Sequence, residues 1–243
     1  MGKNSRIEWT HHTFNPWWGC VKVSPACTHC YAERDSKRFG FALWGPDSER
    51  RFFGDKHWNE PLKWNRTAGL EGDRHRVFCA SMADVFEDRP ELDPHRTRLW
   101  NLIEETSNLD WLLLTKRPEN APRMLPWKTC PTNVWFGVTM EDQEWLLHRL
   151  EAFKAVSARI KFVSIEPMLG PVDLSPLAGH VHWVIAGAES GNGARHTHID
   201  WVRSLRDWCH GNGVSFFLKQ LVEDGKMVGT PFLDGRTHVQ APG

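Results

Sequence analysis

Six short apolar segments that recur along the chain place the strongest constraint on its fold. Each is rich in β-branched and aromatic residues and nearly continuous in apolarity, as strands buried on both faces of a parallel sheet are. They lie at 77–81, 111–115, 134–138, 161–165, 183–187 and 214–218. Segments with helical spacing of apolar residues lie between them, at 93–108, 117–125, 140–158 and 200–213. This alternation predicts βαβ units in a mostly parallel α/β sheet.

The rest of the chain extends this architecture at both ends. A first strand is predicted within 7–15 and a helix at 31–41, which gives a partial (β/α) barrel of about six to seven mostly parallel strands. The segment 42–70 breaks the alternation and is predicted to be an insertion or a hairpin. The turn signal Asp234-Gly235 predicts a C-terminal hairpin or tail over 224–243. We predict a single α/β domain over residues 1–243.

Charge and hydropathy narrow the setting in which the protein works. The formal net charge is zero, which excludes a globally basic surface but leaves a local basic groove open. The chain lacks a secretory signal and an apolar stretch of the ~18 residues that a membrane span requires, so we predict a cytoplasmic protein without a membrane partner. Thiols stay reduced there, so clustered cysteines predict metal ligands or catalysts rather than disulfides.

Polar side chains follow each predicted strand, and function in α/β folds collects where strands end. The carboxyl ends of parallel strands share one edge of a sheet, so we expect these side chains to meet there. The candidates are Ser81, Asp84, Lys116, Arg117, Thr139, Glu141, Glu166, Gly187, Glu189, Ser190 and Lys219.

Three cysteines, Cys20, Cys27 and Cys30, lie within eleven residues of each other near the N-terminus. One interpretation is a structural zinc site completed by His11, His12 or His29. A second is a [4Fe–4S] cluster, whose fourth iron would keep an open coordination position when only three thiolates bind. A third, weaker interpretation is a redox-active Cys-x-x-Cys pair. The residues alone leave these alternatives open.

The motifs "WTHHTFNPWWGCVKVSPACTHCYAE", "SMADVF", "LLLTKRPEN", "VWFGVTMED", "VSIEPMLGP", "VIAGAESG" and "FFLKQ" resemble those of a phage-associated family with the same three-cysteine motif, radical-SAM-like and of uncharacterised function. A three-cysteine loop after the first strand of a βα barrel is similar to the radical S-adenosylmethionine (SAM) superfamily. The usual spacing in that superfamily is three and two residues between cysteines, whereas this chain has six and two.

The resemblance implies a [4Fe–4S] cluster on Cys20, Cys27 and Cys30, with SAM bound at the fourth iron. An external electron donor would reduce the cluster, and cleavage of SAM would yield a 5′-deoxyadenosyl radical that abstracts hydrogen from a substrate. The site residues that it implies are Ser81 and Asp84 for the methionine amino group, Lys116 or Arg117 for its carboxylate, Glu166 for the ribose, and Gly187, Glu189 and Ser190 for the adenine.

The substrate is not implied by the motifs. The tryptophan excess, 14 against one tyrosine, and the basic runs "SERR" and "TKRP" favour a nucleotide or nucleic acid. The neutral net charge equally permits a peptide or protein substrate. One barrel of similar layout in the superfamily repairs a DNA photoproduct, which favours the same class. The alternative function is a zinc- or iron–sulfur-bearing binding module without catalysis.

Overall fold

A curled sheet forms the centre of the structure, a computed structural model that describes residue 5 and residues 7–191 and 193–243. The strands, in chain order, are β1 (His12–Thr13), β2 (Trp17–Trp18), β3 (Arg51–Phe52), β4 (His75–Cys79), β5 (Leu109–Thr115), β6 (Val134–Thr139), β7 (Ile160–Ile165), β8 (Trp183–Gly187), β9 (Ser215–Glu223) and β10 (Lys226–Gly229). Eight of them form the main sheet in the order β1-β4-β5-β6-β7-β8-β9-β10. All neighbours are parallel except the last pair. The predicted partial barrel is confirmed, with seven parallel strands and one antiparallel strand.

Helices connect the successive parallel strands except β7 and β8, which are joined by a segment that holds the 3₁₀ turn Ser175–Leu177. They are α1 (Tyr31–Arg38), α2 (Asp55–Trp58), α3 (Glu60–Glu71), α4 (Asp93–Glu105), α5 (Ala121–Met124), α6 (Gln143–Ala155) and α7 (Ile199–Gly211). Within the described part of the chain, no helix has the length and apolarity needed to cross a membrane.

The two faces of the sheet bury different residues because side chains alternate along each strand. On β6, Val134 and Phe136 face the helices, whereas Trp135 points into the concave interior. Rings fill that interior at the amino-terminal side: Trp9, Phe78, Trp135, Phe162, Trp183 and Phe217. Gly137 makes room for one of them, since a Cβ there would lie 2.1 Å from the Phe162 ring.

The segment 42–70 differs from the predicted insertion in its content. It holds β3, which pairs with β2 in a separate antiparallel ribbon, then α2 and most of α3. Trp64 and Ala68 of α3 are buried in the main core, and α3 contacts β4 and β5, so it serves as a connecting helix of the barrel. Its pattern was hard to recognise because few apolar residues mark its buried face.

The C-terminal segment contains two tight turns. Asp224 and Gly225, both at positive φ, join β9 to β10 as a hairpin. The predicted turn at Asp234-Gly235 also has both residues at positive φ and is closed by pairing of Leu233 with Arg236. The single-domain prediction over 1–243 stays a prediction, and residues 1–4, 6 and 192 within it lie outside the described residues.

Candidate cofactor site at the carboxyl ends of the strands

A cavity of about 370 Å³ opens at the carboxyl ends of the parallel strands. Three walls of different chemistry surround it: the cysteine loop, the strand ends and an apolar floor. Of the residues predicted to form the site, the following line it: Cys20, Cys27, Cys30, Ser81, Asp84, Lys116, Arg117, Glu166, Glu189 and Ser190. Gly187 lies beside it, where a Cβ would contact the Glu166 side chain at 3.4 Å. The volume suits a small-molecule ligand.

The cysteine loop depends on local backbone geometry. Gly19 has φ of 112°, and a Cβ there would lie 2.6 Å from the carbonyl oxygen of Leu43, so only glycine fits. Cys20 then pairs with Trp44, a cavity-lining residue. Cys27 ends a 3₁₀ turn and Cys30 directly precedes α1. The loop therefore presents all three thiols to one cavity.

Two buried carboxylates hold the cysteine loop against the strand ends. Glu141, after β6, accepts hydrogen bonds from the Ala26 backbone N–H at 3.3 Å and from Arg149 at 2.6 Å. Glu141 and Arg149 are both buried. Glu189, after β8, is within hydrogen-bond distance of His29 Nδ1 at 3.0 Å. These contacts fix the loop at two points around the cysteines.

Arg195 strengthens the second of these attachments. Its side chain and backbone N–H both donate to Glu189, and its guanidinium also donates to the Pro25 carbonyl at 3.0 Å. Burial opposes ionisation of Glu189, but the hydrogen bonds from Arg195 and His29 outweigh it and hold the pKa of this carboxyl at about 2. Glu189 is therefore a carboxylate at neutral pH and has its oxygens occupied by protein donors.

Asp84, after β4, and Arg117, after β5, form a buried ion pair, and Arg117 also contacts the cysteine loop. Arg117 donates to Asp84 Oδ2 at 3.1 Å and to the Val21 carbonyl at 2.7 Å, and it lies 3.5 Å from the Cys20 sulfur. Asp84 also accepts from the Thr115 hydroxyl and from the backbone N–H groups of Lys116 and Phe86. Burial works against the Asp84 anion, but Arg117 and these donors lower the pKa of its carboxyl below the usual value.

Three lysines line the cavity: Lys22, Lys116 and Lys219. Lys22 pairs with Glu33. The Lys219 ammonium pairs with Glu166. The Lys116 side chain has no ion-pair or hydrogen-bond partner among residues 5, 7–191 and 193–243, and it is half-buried in the wall. A half-buried ammonium without a protein partner among the described residues suits an anionic ligand. Of the two candidates for a carboxylate of SAM, Lys116 is therefore the open cation, whereas Arg117 is committed to Asp84.

The three thiols of the loop line one cavity, but in the described residues they are not gathered around a single point. Among the described side chains, no three of the His, Cys, Asp and Glu type are close enough to hold one metal ion. A single zinc gathers all its ligands at about 2.0–2.3 Å, whereas a cubane places each thiolate on a different iron. Burial raises the pKa of the Cys20 thiol to about 12, and the Arg117 guanidinium offsets only part of that rise, so this thiol must lose its proton when it binds a metal.

Three residues of this site, described below, were not among those predicted from the sequence. Tyr31 lines the cavity and donates its hydroxyl to the Ser81 carbonyl at 3.0 Å, which ties α1 to β4. Trp9 contributes to the cavity floor. Arg195 lies in an irregular segment, and only the structure brings it to the cysteine loop. Of the three, only Tyr31 carries a sequence signal, because it directly follows Cys30.

The fold and this site define a class: α/β half barrels with a cavity at the carboxyl ends of the strands. Spore photoproduct lyase structures share the fold. One mutant matches with a TM-score of 0.60, 10% identity, and coverage of 90% of this chain and 78% of that one. The lyase complexed with dinucleoside spore photoproduct matches with a TM-score of 0.53 and 13% identity, and the match covers 77% of this chain and 58% of that one. A double mutant with bound AdoMet and dinucleoside spore photoproduct matches with a TM-score of 0.51 and 12% identity, and the match covers 91% of this chain and 58% of that one.

The chain belongs to the family described as protein of unknown function DUF5131, whose model matches residues 4–242. It spans 58% of the length of the two ligand-bound lyase structures. None of the curated proteins matches it in sequence. The structural similarity to the lyases confirms the fold predicted from the sequence motifs. The association with phages stays a prediction.

Proposed function

We propose that this protein is a radical SAM enzyme that acts on a nucleotide or nucleic acid. Cys20, Cys27 and Cys30 would hold a [4Fe–4S] cluster, and SAM would fill the cavity between the cluster and the strand ends. When bound and reduced by an external donor, these groups supply a 5′-deoxyadenosyl radical for hydrogen abstraction. The observation that carries the proposal is the convergence of three thiols, an unpaired lysine and a buried Asp–Arg pair on one cavity.

The residues of the chain would bind and orient SAM by charge and hydrogen bonding. Lys116 has the free ammonium for the methionine carboxylate. Ser81 lies at the end of β4 and lines the same wall, as expected of a group near the methionine amine. Glu166 has a carboxylate for the ribose hydroxyls, and Lys219 holds that carboxylate in place. Gly187 leaves space beside Glu166 for close approach of the adenosine.

Other residues would act by holding the reacting groups rather than touching them. Arg117 and Asp84 would fix the position of Cys20, and Glu141 and Glu189 would fix the segment that bears Cys27. The floor of Trp9 and Phe78 would exclude water from the inner end of the cavity. Such exclusion protects a reactive radical from side reactions.

The nucleotide or nucleic-acid substrate is supported by two observations. The lyase structures with the same fold contain a dinucleoside photoproduct. The basic run that includes Lys116 and Arg117 lies at the cavity.

The test is anaerobic reconstitution with iron and sulfide, followed by dithionite reduction and addition of SAM. We expect about four irons and four sulfides per chain, and 5′-deoxyadenosine as a product. Lys116→Met should bind the same cluster but require a higher SAM concentration, with Lys128→Met, outside the cavity, as the matched control. Stoichiometric zinc after purification, with no iron uptake and no SAM cleavage, would instead support the structural alternative.

A further inference from the structure

The ribbon of β2 and β3 carries a group of aromatic side chains around one arginine. The Arg51 guanidinium carbon lies 4.9 Å from the Trp18 ring centre, 4.1 Å from Phe41 and 5.4 Å from Phe53. Within the part of the chain that the structure describes, Arg51 has no carboxylate partner. The neighbouring Arg50, by contrast, is buried and paired with Glu87. The rings orient the Arg51 guanidinium and leave its N–H donors available.

Two further rings near this group are open to solvent, and Phe39 packs beside Trp18 with 6.1 Å between ring centres. Phe39 is 59% exposed and Phe52 is 40% exposed. Phe52 follows Arg51 on β3 and projects from the opposite face of the ribbon, where it lies flat on His95, with 4.0 Å between ring centres and an angle of 6° between planes. Packing of the core does not account for either ring, because neither is buried. Exposed aromatic rings beside unpaired cations are the pattern of a surface that binds a ligand.

This surface lies next to the candidate cavity. Trp18 is two residues before Cys20, so its backbone is within about 7 Å of that cysteine. Helix α1 begins at the cavity with Tyr31 and ends at Arg38, just before Phe39. An eight-residue helix is about 12 Å long. That length corresponds to about three or four stacked bases of a strand at ~3.4 Å each.

We propose that this surface, the aromatic platform, docks a single strand of nucleic acid whose neighbouring nucleotide enters the cavity. The platform consists of Trp18, Phe39, Phe41, Arg51 and Phe53. The proposal rests on the proposed function for its substrate class and adds where and in which form that substrate binds.

The chemistry of the platform selects a single strand over the other classes of partner. Unpaired bases expose flat faces that stack on aromatic rings in any sequence, whereas a duplex keeps those faces within its own stack. Phosphates of the strand would meet Arg51 and Arg38, neither of which has a carboxylate partner among the described residues. Lys37 and Arg34 on α1 add positive charge, although Glu33 and Asp35 pair with them.

The test measures binding of a fluorescein-labelled, mixed-sequence 12-nucleotide DNA strand to the full chain by fluorescence anisotropy, at several salt concentrations. The variants are Phe39→Ala/Phe41→Ala and Arg51→Gln. The matched controls are Phe232→Ala, which removes an exposed ring at 71% exposure on the C-terminal segment, and Arg159→Gln, which removes an exposed arginine before β7. Circular dichroism melting checks that each variant is folded.

We expect tighter binding to the strand than to the same sequence as a duplex. The double phenylalanine variant should weaken strand binding about tenfold or more, and Arg51→Gln should lower the salt dependence by about one phosphate contact. Both controls should bind as the unaltered chain does. Equal affinity of the double variant, a preference for duplex, or no strand binding would overturn the proposal. Because strand binding is measured without cluster or SAM, a failure of this docking proposal can be distinguished from a failure of SAM cleavage.

Discussion

Removal of the Asp84–Arg117 ion pair should change both the stability of the fold and the position of the cysteine loop. Both side chains are buried, at 7% and 8% exposure, and Arg117 also reaches Val21 and Cys20 in the cysteine loop. Arg117→Met keeps a long side chain but removes the charge and every donor. Asp84 would retain three donors, from Thr115, Lys116 and Phe86.

The expected loss follows from what remains buried. Breaking a buried ion pair from one side typically costs about 3–5 kcal/mol. The three remaining donors to Asp84 place the expected loss at the lower end, about 3 kcal/mol. Asp84→Asn/Arg117→Met removes both charges and should recover part of that loss, which gives a coupling energy of about 1–3 kcal/mol in a double-mutant cycle.

Urea unfolding of the reduced protein measures these values. Coincident transitions by tryptophan fluorescence and circular dichroism are required before free energies of unfolding are compared. A loss below about 0.5 kcal/mol for Arg117→Met, or strictly additive effects in the cycle, would refute the reasoning, because surface substitutions fall within that limit.

The pair also predicts a pH dependence. The pKa of Asp84 is lower in the folded chain than the unfolded value of about 3.9. Its contribution to stability is therefore full above the unfolded pKa and is lost as pH falls through the folded pKa. Arg117→Met should raise the folded pKa, so acid unfolding should begin at a higher pH. Acid unfolding at the same pH in both proteins would contradict this.

Three further predictions concern the barrel and the loop. Gly137→Ala should lower the free energy of unfolding by about 1–3 kcal/mol, because its Cβ would overlap the Phe162 ring. Adding Phe162→Leu should restore part of the loss. Urea unfolding tests this prediction, and an unchanged midpoint for Gly137→Ala would contradict it. Glu189→Ala should reduce iron bound on reconstitution severalfold while the fold persists, as iron assay and circular dichroism would reveal. Cys27→Ala should abolish cluster uptake, whereas Cys209→Ala, buried on α7, should not; equal iron in both would argue against thiolate ligation by the loop.

The strands and their polar ends were predictable because both signals are local. Each buried parallel strand is a continuous apolar run, and polar residues such as Glu166 and Lys116 follow directly where the chain leaves the sheet. The convergence of these ends then follows from parallel topology alone.

What was not predictable depends on contacts between distant segments. The sequence offers Lys116 and Arg117 as equal candidates, and only the structure pairs Arg117 with Asp84 and leaves Lys116 open. Arg195 reaches Pro25, 170 positions away in sequence, by a contact that no pattern indicates. Helix α3 was missed because its buried face has few apolar residues, among them Trp64 and Ala68.

The central claim is that Cys20, Cys27 and Cys30 hold a cluster whose fourth iron is open to SAM. The most direct test is the electron paramagnetic resonance spectrum of the reconstituted, reduced protein with and without SAM. The account predicts a reduced [4Fe–4S] signal that shifts when SAM is added and that is lost in Cys27→Ala. A signal that SAM leaves unchanged, or a protein that takes up zinc and no iron, would contradict it.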